Sequence, residues 1–419
     1  MNRRDLILAS LAALGSAADP AYAQAPAKPL PGSEAEPFFF RDGDRVVMIG
    51  DSITEQHLHS NYVETYVRGR FPAWRLRFRN VGIGGDTSTG GNRRVARDVL
   101  SFQPTACTIT FGMNDGGYRD VDPVRLAAYE TGLKGILEQL RTAGVRAAVL
   151  SSSPVEKKEA GAALEGYNQT LERFAAAART VAEGGGARFV DQFHAHVATL
   201  QRARDADPTL RINGGDPVHP GPSGQYLMAW AILKGLGAPA RISTAEVDAP
   251  SRRVGRTENC AVLAVKAAGA GLSFIRSDRA LPLWIPPAAR SILDWAPVME
   301  DLNLSTLRVS GLATGNYELR IDGEAVGRFP AAALALGINL SSLTEGPIAR
   351  QSRRLADAVQ AKNQYYHDQI FRGVVLNNGV PADQKTALIQ SRSQRLPELD
   401  AAVDECLAIP PRQFEVIAR

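Results

Sequence analysis

Between residues 37 and 237 short apolar runs alternate with stretches of helical spacing. Arg45-Val-Val-Met-Ile49 is a compact apolar run closed by Gly50, which predicts a buried strand. Helical spacing over Asn61–Arg70 follows, then polar–apolar alternation over Arg75–Val81, the pattern of a second strand. A short helix over Arg93–Leu100 leads to a third strand, Ala106–Phe111, rich in β-branched residues. Asp122-Pro123 opens a long helix, because Asp caps free N–H groups and Pro fits the first turn. Leu126, Tyr129, Leu133, Ile136, Leu137 and Leu140 repeat at helical spacing up to Gly144. Strands over Arg146–Leu150 and Arg188–Asp191 and helices over Ala160–Val181 and Gln225–Leu236 complete the series. Such βα alternation predicts an α/β domain over residues 37–237, a parallel sheet covered by helices on both faces.

Beyond Ala238 the helical period fades and turn residues become frequent. Tyr317–Ile321 and Glu324–Val326 flank Asp322-Gly323, the signature of a β-hairpin. Residues 238–346 therefore read as a smaller β-rich domain. Amphipathic spacing returns over Pro347–Phe371, and residues 347–419 read as a helical C-terminal segment.

The first 23 residues have the layout of an export signal: Arg3 and Arg4, an apolar core over Leu6–Ala17, and Ala21-Tyr22-Ala23 as small residues for a peptidase. Cleavage leaves Gln24 first, followed by a linker over residues 24–36. The paired arginines are also compatible with a twin-arginine route. The apolar core is too short for a stable membrane span, and no longer one follows. The expectation is an exported protein, periplasmic or extracellular.

A formal charge of +4 over 419 residues, with no basic run interleaved with aromatics, argues against a nucleic-acid partner. The three cysteines, Cys107, Cys260 and Cys406, have no zinc or redox spacing. Cys260 with Cys406 is the one disulfide pairing considered. His194-x-His196 lacks the carboxylates or cysteines that would support a metal site.

Three glycine-containing polar loops fall at the carboxyl ends of the first three strands: Gly50–Thr54, Gly82–Thr87 and Gly112–Asp115. Open α/β sheets bind ligands at that edge. A fourth block, Asp216-Pro-Val-His219, precedes the last helix of the domain. Together these supply a hydroxyl nucleophile (Ser52), a base (His219), a carboxylate to orient it (Asp216), and oxyanion donors on Ser52, Gly85 and Asn114. Asp86 and Asp115 read as braces for the loops, and His57-x-His59 as either residues lining the pocket or a solvated helix start. No Gly-x-Ser-x-Gly elbow is present, which excludes an α/β-hydrolase.

These four blocks, in this order, resemble the SGNH/GDSL hydrolase family. Gly50-Asp-Ser-Ile-Thr54 matches its nucleophile block, Asn80–Thr87 its glycine block, Gly112-Met-Asn-Asp115 its asparagine block and Asp216-x-x-His219 its base block. The resemblance implies a flavodoxin-like three-layer α/β/α fold over 37–237 and ester hydrolysis with no cofactor and no metal. An acetylated carbohydrate is the expected substrate. Lipid or aryl-ester hydrolysis, acyl transfer, and a catalytically vestigial carbohydrate-binding envelope protein are the alternatives. Every block lies before Leu227, so residues 238–419 are expected to pack against this domain and to influence substrate access rather than chemistry.

Overall fold

Strand order is what places the site. The computed structural model describes residues 37–156 and 166–419. The export signal, the 24–36 linker and the start of the helix expected from Ala160 lie outside the described residues. Strands β1 (Arg45–Gly50), β2 (Arg77–Asn80), β3 (Ala106–Thr110), β4 (Arg146–Leu150) and β5 (Arg188–Val190) form one parallel sheet in the order β2-β1-β3-β4-β5. This is the flavodoxin-like order, and its switch point, where a crevice opens at the carboxyl ends, lies between β1 and β3. Ser52 follows β1 and Asn114 follows β3, so the topology delivers both to one place.

The sheet is buried on both faces, which explains the unbroken apolar runs. Val46 and Met48 pack with the helices Leu58–Arg70 and Pro222–Gly235, while Val47 and Ile49 pack with Val95–Val99, Pro123–Thr142 and Tyr167–Gly184. The long helix starts as expected: Asp122 accepts the Val124 N–H at 2.8 Å, with Pro123 in the first turn. A helix over Gln192–Ala206, not expected from the sequence, is capped by Asp191, which accepts the His194 N–H. Within it His196 is buried against Asn213 while His194 turns to Asp191 and Glu172, so the two rings serve separate structural contacts.

The β-rich region holds two further sheets. Strands β6 (Arg241–Asp248), β7 (Arg253–Glu258), β10 (Leu304–Ser310) and β13 (Ile338–Asn339) run in the order β13-β10-β6-β7. The other contains β8 (Cys260–Ala268), β9 (Gly271–Asp278), β11 (Asn316–Ile321), β12 (Glu324–Pro330) and β14 (Arg412–Ala418), in the order β12-β11-β14-β9-β8. The expected hairpin is β11–β12, with Asp322 and Gly323 both at positive φ, as a two-residue turn of this kind requires.

The C-terminal segment is helical as expected but closes in a strand. Residues 347–419, expected as helical, carry helices over Pro347–Tyr365, Ala382–Ser393 and Leu396–Glu405 but end in β14. That strand fills a central place between β11 and β9, with Phe414 and Val416 fully buried at a period of two. A lone strand preceded by three helices becomes visible only when its two neighbours are in place. Cys107, Cys260 and Cys406 are free, so the considered pairing is not made.

The C-terminal helix also docks onto the α/β layer. Lys362 pairs with Glu64 of the helix Leu58–Arg70, both side chains 2% exposed, and Asn363 donates to the same carboxylate at 2.7 Å. Beyond Tyr365 the chain continues in a wider π-helical path to Val375, which drives Phe371 into the core beside Val47 and Ile49. Phe38–Arg419 is thus one compact unit. No helix among the described residues is long and apolar enough to cross a membrane.

Candidate active site

Ser52 opens a short helix, Ser52–Glu55, directly after β1. Asp51 caps it by accepting the Ile53 N–H at 3.0 Å. The helix lies tightly under the second loop: a Cβ on Gly82 would overlap the Glu55 backbone nitrogen, so only glycine fits there.

His219 arrives from the loop before Pro222–Gly235. Its Nε2 stands 2.8 Å from the Ser52 Oγ, and its Nδ1 stands 2.9 Å from the Asp216 Oδ2. The other Asp216 oxygen accepts the backbone N–H groups of Val218 and His219, each at 2.8 Å. One carboxylate therefore folds its own loop and orients the ring. Partial burial pushes the Asp216 pKa up, but the His219 and Val218 N–H groups and the ring outweigh it and hold the carboxyl below its ordinary value. A carboxylate on Nδ1–H leaves Nε2 as an acceptor for the serine proton.

Gly85 sits at φ 74°, with open space where a side chain would project. Asn114 is tied to this turn, its side-chain amide donating to the Asp86 carbonyl at 2.9 Å. Asp86 and Asp115 act as braces. The buried Asp115 accepts from the Ser88 N–H and hydroxyl and from the Gly112 N–H. Asp86 accepts from the Arg94 guanidinium, which also donates to the carbonyls of Gly50 and Val81. Arg94 thus joins the ends of β1 and the glycine loop in one buried knot. Ser52, His219, Asp216, Gly85 and Asn114 all meet at the switch point.

The pattern of the GDSL-like Lipase/Acylhydrolase family matches residues 48–227, the stretch that contains all four blocks. Residues 48–227 are a GDSL-like lipase/acylhydrolase domain. An acetylxylan esterase of Geobacillus stearothermophilus is 27% identical over 223 residues, which span 46% of this chain and 94% of that protein. The solved structure of a gut microbial diltiazem-metabolizing enzyme superposes with a TM-score of 0.80 at 24% identity, covering 91% of this chain and 98% of that one. That likeness concerns the fold, and it extends over the β-rich and C-terminal regions as well as the GDSL-like domain.

Several residues around the GDSL-like site carry no signal in the sequence blocks. Tyr118 is 44% exposed, sits at φ 58° after Gly117, and donates its hydroxyl to the Asn114 Oδ1 at 2.8 Å. Burial, and then the charges of Asp51 and Asp216, raise its phenol pKa. The run Gly116-Gly117-Tyr118 beside the asparagine block is the only local hint of it. Glu55, one turn beyond Ser52, accepts from Arg372 Nε at 2.6 Å, across 317 residues of chain. His367 Nε2 lies 3.4 Å from the same Glu55 oxygen. The His367 side chain is only 17% exposed, and its ring packs against His57 at 4.8 Å.

His57 itself is neutral, its pKa pushed down to about 3 by burial and then by His367 and His59. Of the tryptophans, Trp230 is buried, Trp74 stacks on Phe71, Trp295 packs on the core and Trp284 lies under Arg290. Tyr118, not a tryptophan, is the exposed aromatic beside Asn114.

Proposed function

We propose that this protein hydrolyses carboxylic esters of short acyl groups, acetyl esters of carbohydrates foremost, with Ser52 as nucleophile. The observation that carries the reading is the hydrogen-bonded chain from Ser52 Oγ through His219 to Asp216. The acetylxylan esterase relative supports the substrate class.

His219 Nε2 takes the Ser52 proton as Oγ attacks the ester carbonyl carbon. The carbonyl electrons move onto oxygen, where the Ser52 and Gly85 backbone N–H groups and the Asn114 amide receive the charge. As the carbon–oxygen ester bond breaks, His219 returns its proton to the departing alcohol, leaving acetyl-Ser52. Water repeats the sequence: it gives a proton to His219, attacks the acyl carbon, and releases acetate and the free serine. Asp216 stays ionised and stabilises the imidazolium in each half. None of these steps calls for a cofactor or metal.

The substrate reaches the enzyme outside the cytoplasm, since residues 1–23 carry the layout of an export signal. Mass spectrometry of the exported protein is expected to find Gln24 at the N-terminus; retained Met1 contradicts this.

The deciding experiment pairs labelling with turnover. A fluorophosphonate is expected to modify Ser52, and Ser52→Ala to lose labelling and about 10⁴-fold or more in kcat with the fold intact. A folded Ser52→Ala protein with ordinary turnover overturns the serine mechanism. Release of acetate from acetylated xylan but slow cleavage of long-chain p-nitrophenyl esters supports the carbohydrate reading.

A further inference from the structure

The match to the GDSL-like family ends at Leu227, yet a charged side chain from residue 372 stands at the rim of the site. Both the Arg372 Nη2 and the Ser52 Cβ lie 4.0 Å from the point where a Cβ on Gly84 would stand, and the Glu55 Oε2 lies 3.0 Å from it. Nucleophile, carboxylate and guanidinium therefore surround one glycine of the loop that also carries Gly85. Arg372 is held there from two sides. Its neighbour Phe371 is buried in the core, and its own Nε donates to Glu55 at 2.6 Å while Nη2 pairs with the same oxygen. His367 and Asp368 complete the cluster, with His367 Nδ1 2.8 Å from the Asp368 carboxylate.

A guanidinium has five N–H donors and no acceptor. Nε and one Nη2 hydrogen go to Glu55, which leaves Nη1 and the rest of Nη2 on a side chain 55% exposed. Glu55 balances the charge, so the free edge suits neutral oxygen acceptors better than a second carboxylate. An acetyl group is small and offers no further acceptor beyond the carbonyl already received by the oxyanion donors. A polyhydroxylated alcohol offers several.

We infer that Arg372, supplied by the C-terminal π-helical stretch, is a substrate-positioning residue that hydrogen-bonds hydroxyl oxygens on the alcohol portion of the ester, so that the C-terminal region sets the enzyme's preference for hydroxylated alcohols. This rests on the reading of Ser52 as an esterase nucleophile but not on one particular sugar. The Glu55 carboxylate holds the guanidinium in place, and its pKa lies below the ordinary value: partial burial raises it, but His367 and Arg372 outweigh that.

The test is steady-state kinetics of wild type, Arg372→Ala and Arg372→Lys on ethyl acetate, glycerol monoacetate and an acetylated xylo-oligosaccharide. Loss of a charge-assisted hydrogen bond predicts that Arg372→Ala raises KM about tenfold on the two hydroxylated alcohols. On ethyl acetate KM changes less than about twofold, and kcat holds on all three. Arg372→Lys recovers part of the loss. Equal losses on all three esters, or unchanged KM on both hydroxylated ones, overturn the proposal. If wild type cleaves glycerol monoacetate but not the oligosaccharide, the carbohydrate reading fails alone, and glycerol monoacetate against ethyl acetate still decides the role of Arg372. A melting curve for each variant confirms that the surface change leaves the fold intact.

Discussion

The Tyr118 hydroxyl donates to the Asn114 Oδ1 at 2.8 Å, while the Asn114 amide nitrogen donates to the Asp86 carbonyl at 2.9 Å. Both ends of the amide are thereby committed, and a flipped amide would set its oxygen against the Asp86 carbonyl. One N–H of the amide remains for the oxyanion of the proposed reaction. Such a donor acts on the transition state rather than on the bound ester. Asn114→Ala is expected to lower kcat by about 10²–10³ with little change in KM. Tyr118→Phe removes only the orienting hydroxyl and is expected to lower kcat about tenfold, roughly the worth of one net hydrogen bond. Steady-state kinetics on one acetyl ester reads both; a raised KM with intact kcat assigns Asn114 to ground-state binding instead.

Asp51 supplies a pH dependence of stability. Burial raises its carboxyl to about 7; the Ile53 N–H opposes this, and the Asp115 and Asp86 charges add to it. The folded state therefore binds this proton more tightly than the unfolded chain, whose carboxyl titrates near 4. The penalty for ionising it is absent at pH 4, grows through the window from 4 to 7, and is full above 7, on the order of 4 kcal/mol. Asp51→Asn keeps a capping oxygen without the charge. It is expected to raise the melting temperature at pH 8 and to change it little at pH 4. Equal shifts at both values would show that Asp51 does not titrate in this window.

The two glycines of the second loop separate steric need from backbone strain. A Cβ at Gly82 would drive into the Glu55 backbone nitrogen and displace the helix that opens with Ser52. At Gly85 there is open space, and the penalty is only the positive φ of 74°. Gly85→Ala is expected to lose about 1–2 kcal/mol while keeping its N–H. Gly82→Ala is expected to lose more stability and most of the activity. Urea melts alongside turnover distinguish the two; equal effects would mean that the loop relaxes around either methyl.

A chain ending at residue 238 lacks Phe371, a fully buried member of the same core as Val47 and Ile49, and leaves the buried Glu64 carboxylate without Lys362. Phe371→Ala alone is expected to lose about 3–5 kcal/mol. Breaking a buried ion pair on one side has a similar effect. These contacts are the packing of residues 238–419 on the α/β domain expected from the sequence, and they add a structural dependence to it. The shortened chain is expected to be insoluble or unfolded. A soluble, cooperatively melting chain of residues 37–238 would contradict this.

The sequence by itself determined what is local. A strand that ends in glycine, a capping aspartate and a turn rich in small residues encode their own conformation within a few positions, so the four blocks and their order were readable without coordinates. The βα alternation then led to the parallel sheet, and a parallel sheet has one edge at which such loops gather. Tertiary structure decided what depends on distant partners. Strand order set the switch point between β1 and β3, which no single strand encodes. Tyr118 became significant only once its loop folded back on Asn114. β14 acquired its place from neighbours more than 90 residues away. Arg372 and Phe371 reached the helix that opens with Ser52 and its sheet across more than 300 residues, because a helix packed through Lys362 and Glu64 carried them there. Contacts of that span leave no periodicity in the chain: the side chains that meet are selected by packing, and packing exists only after the chain has closed on itself.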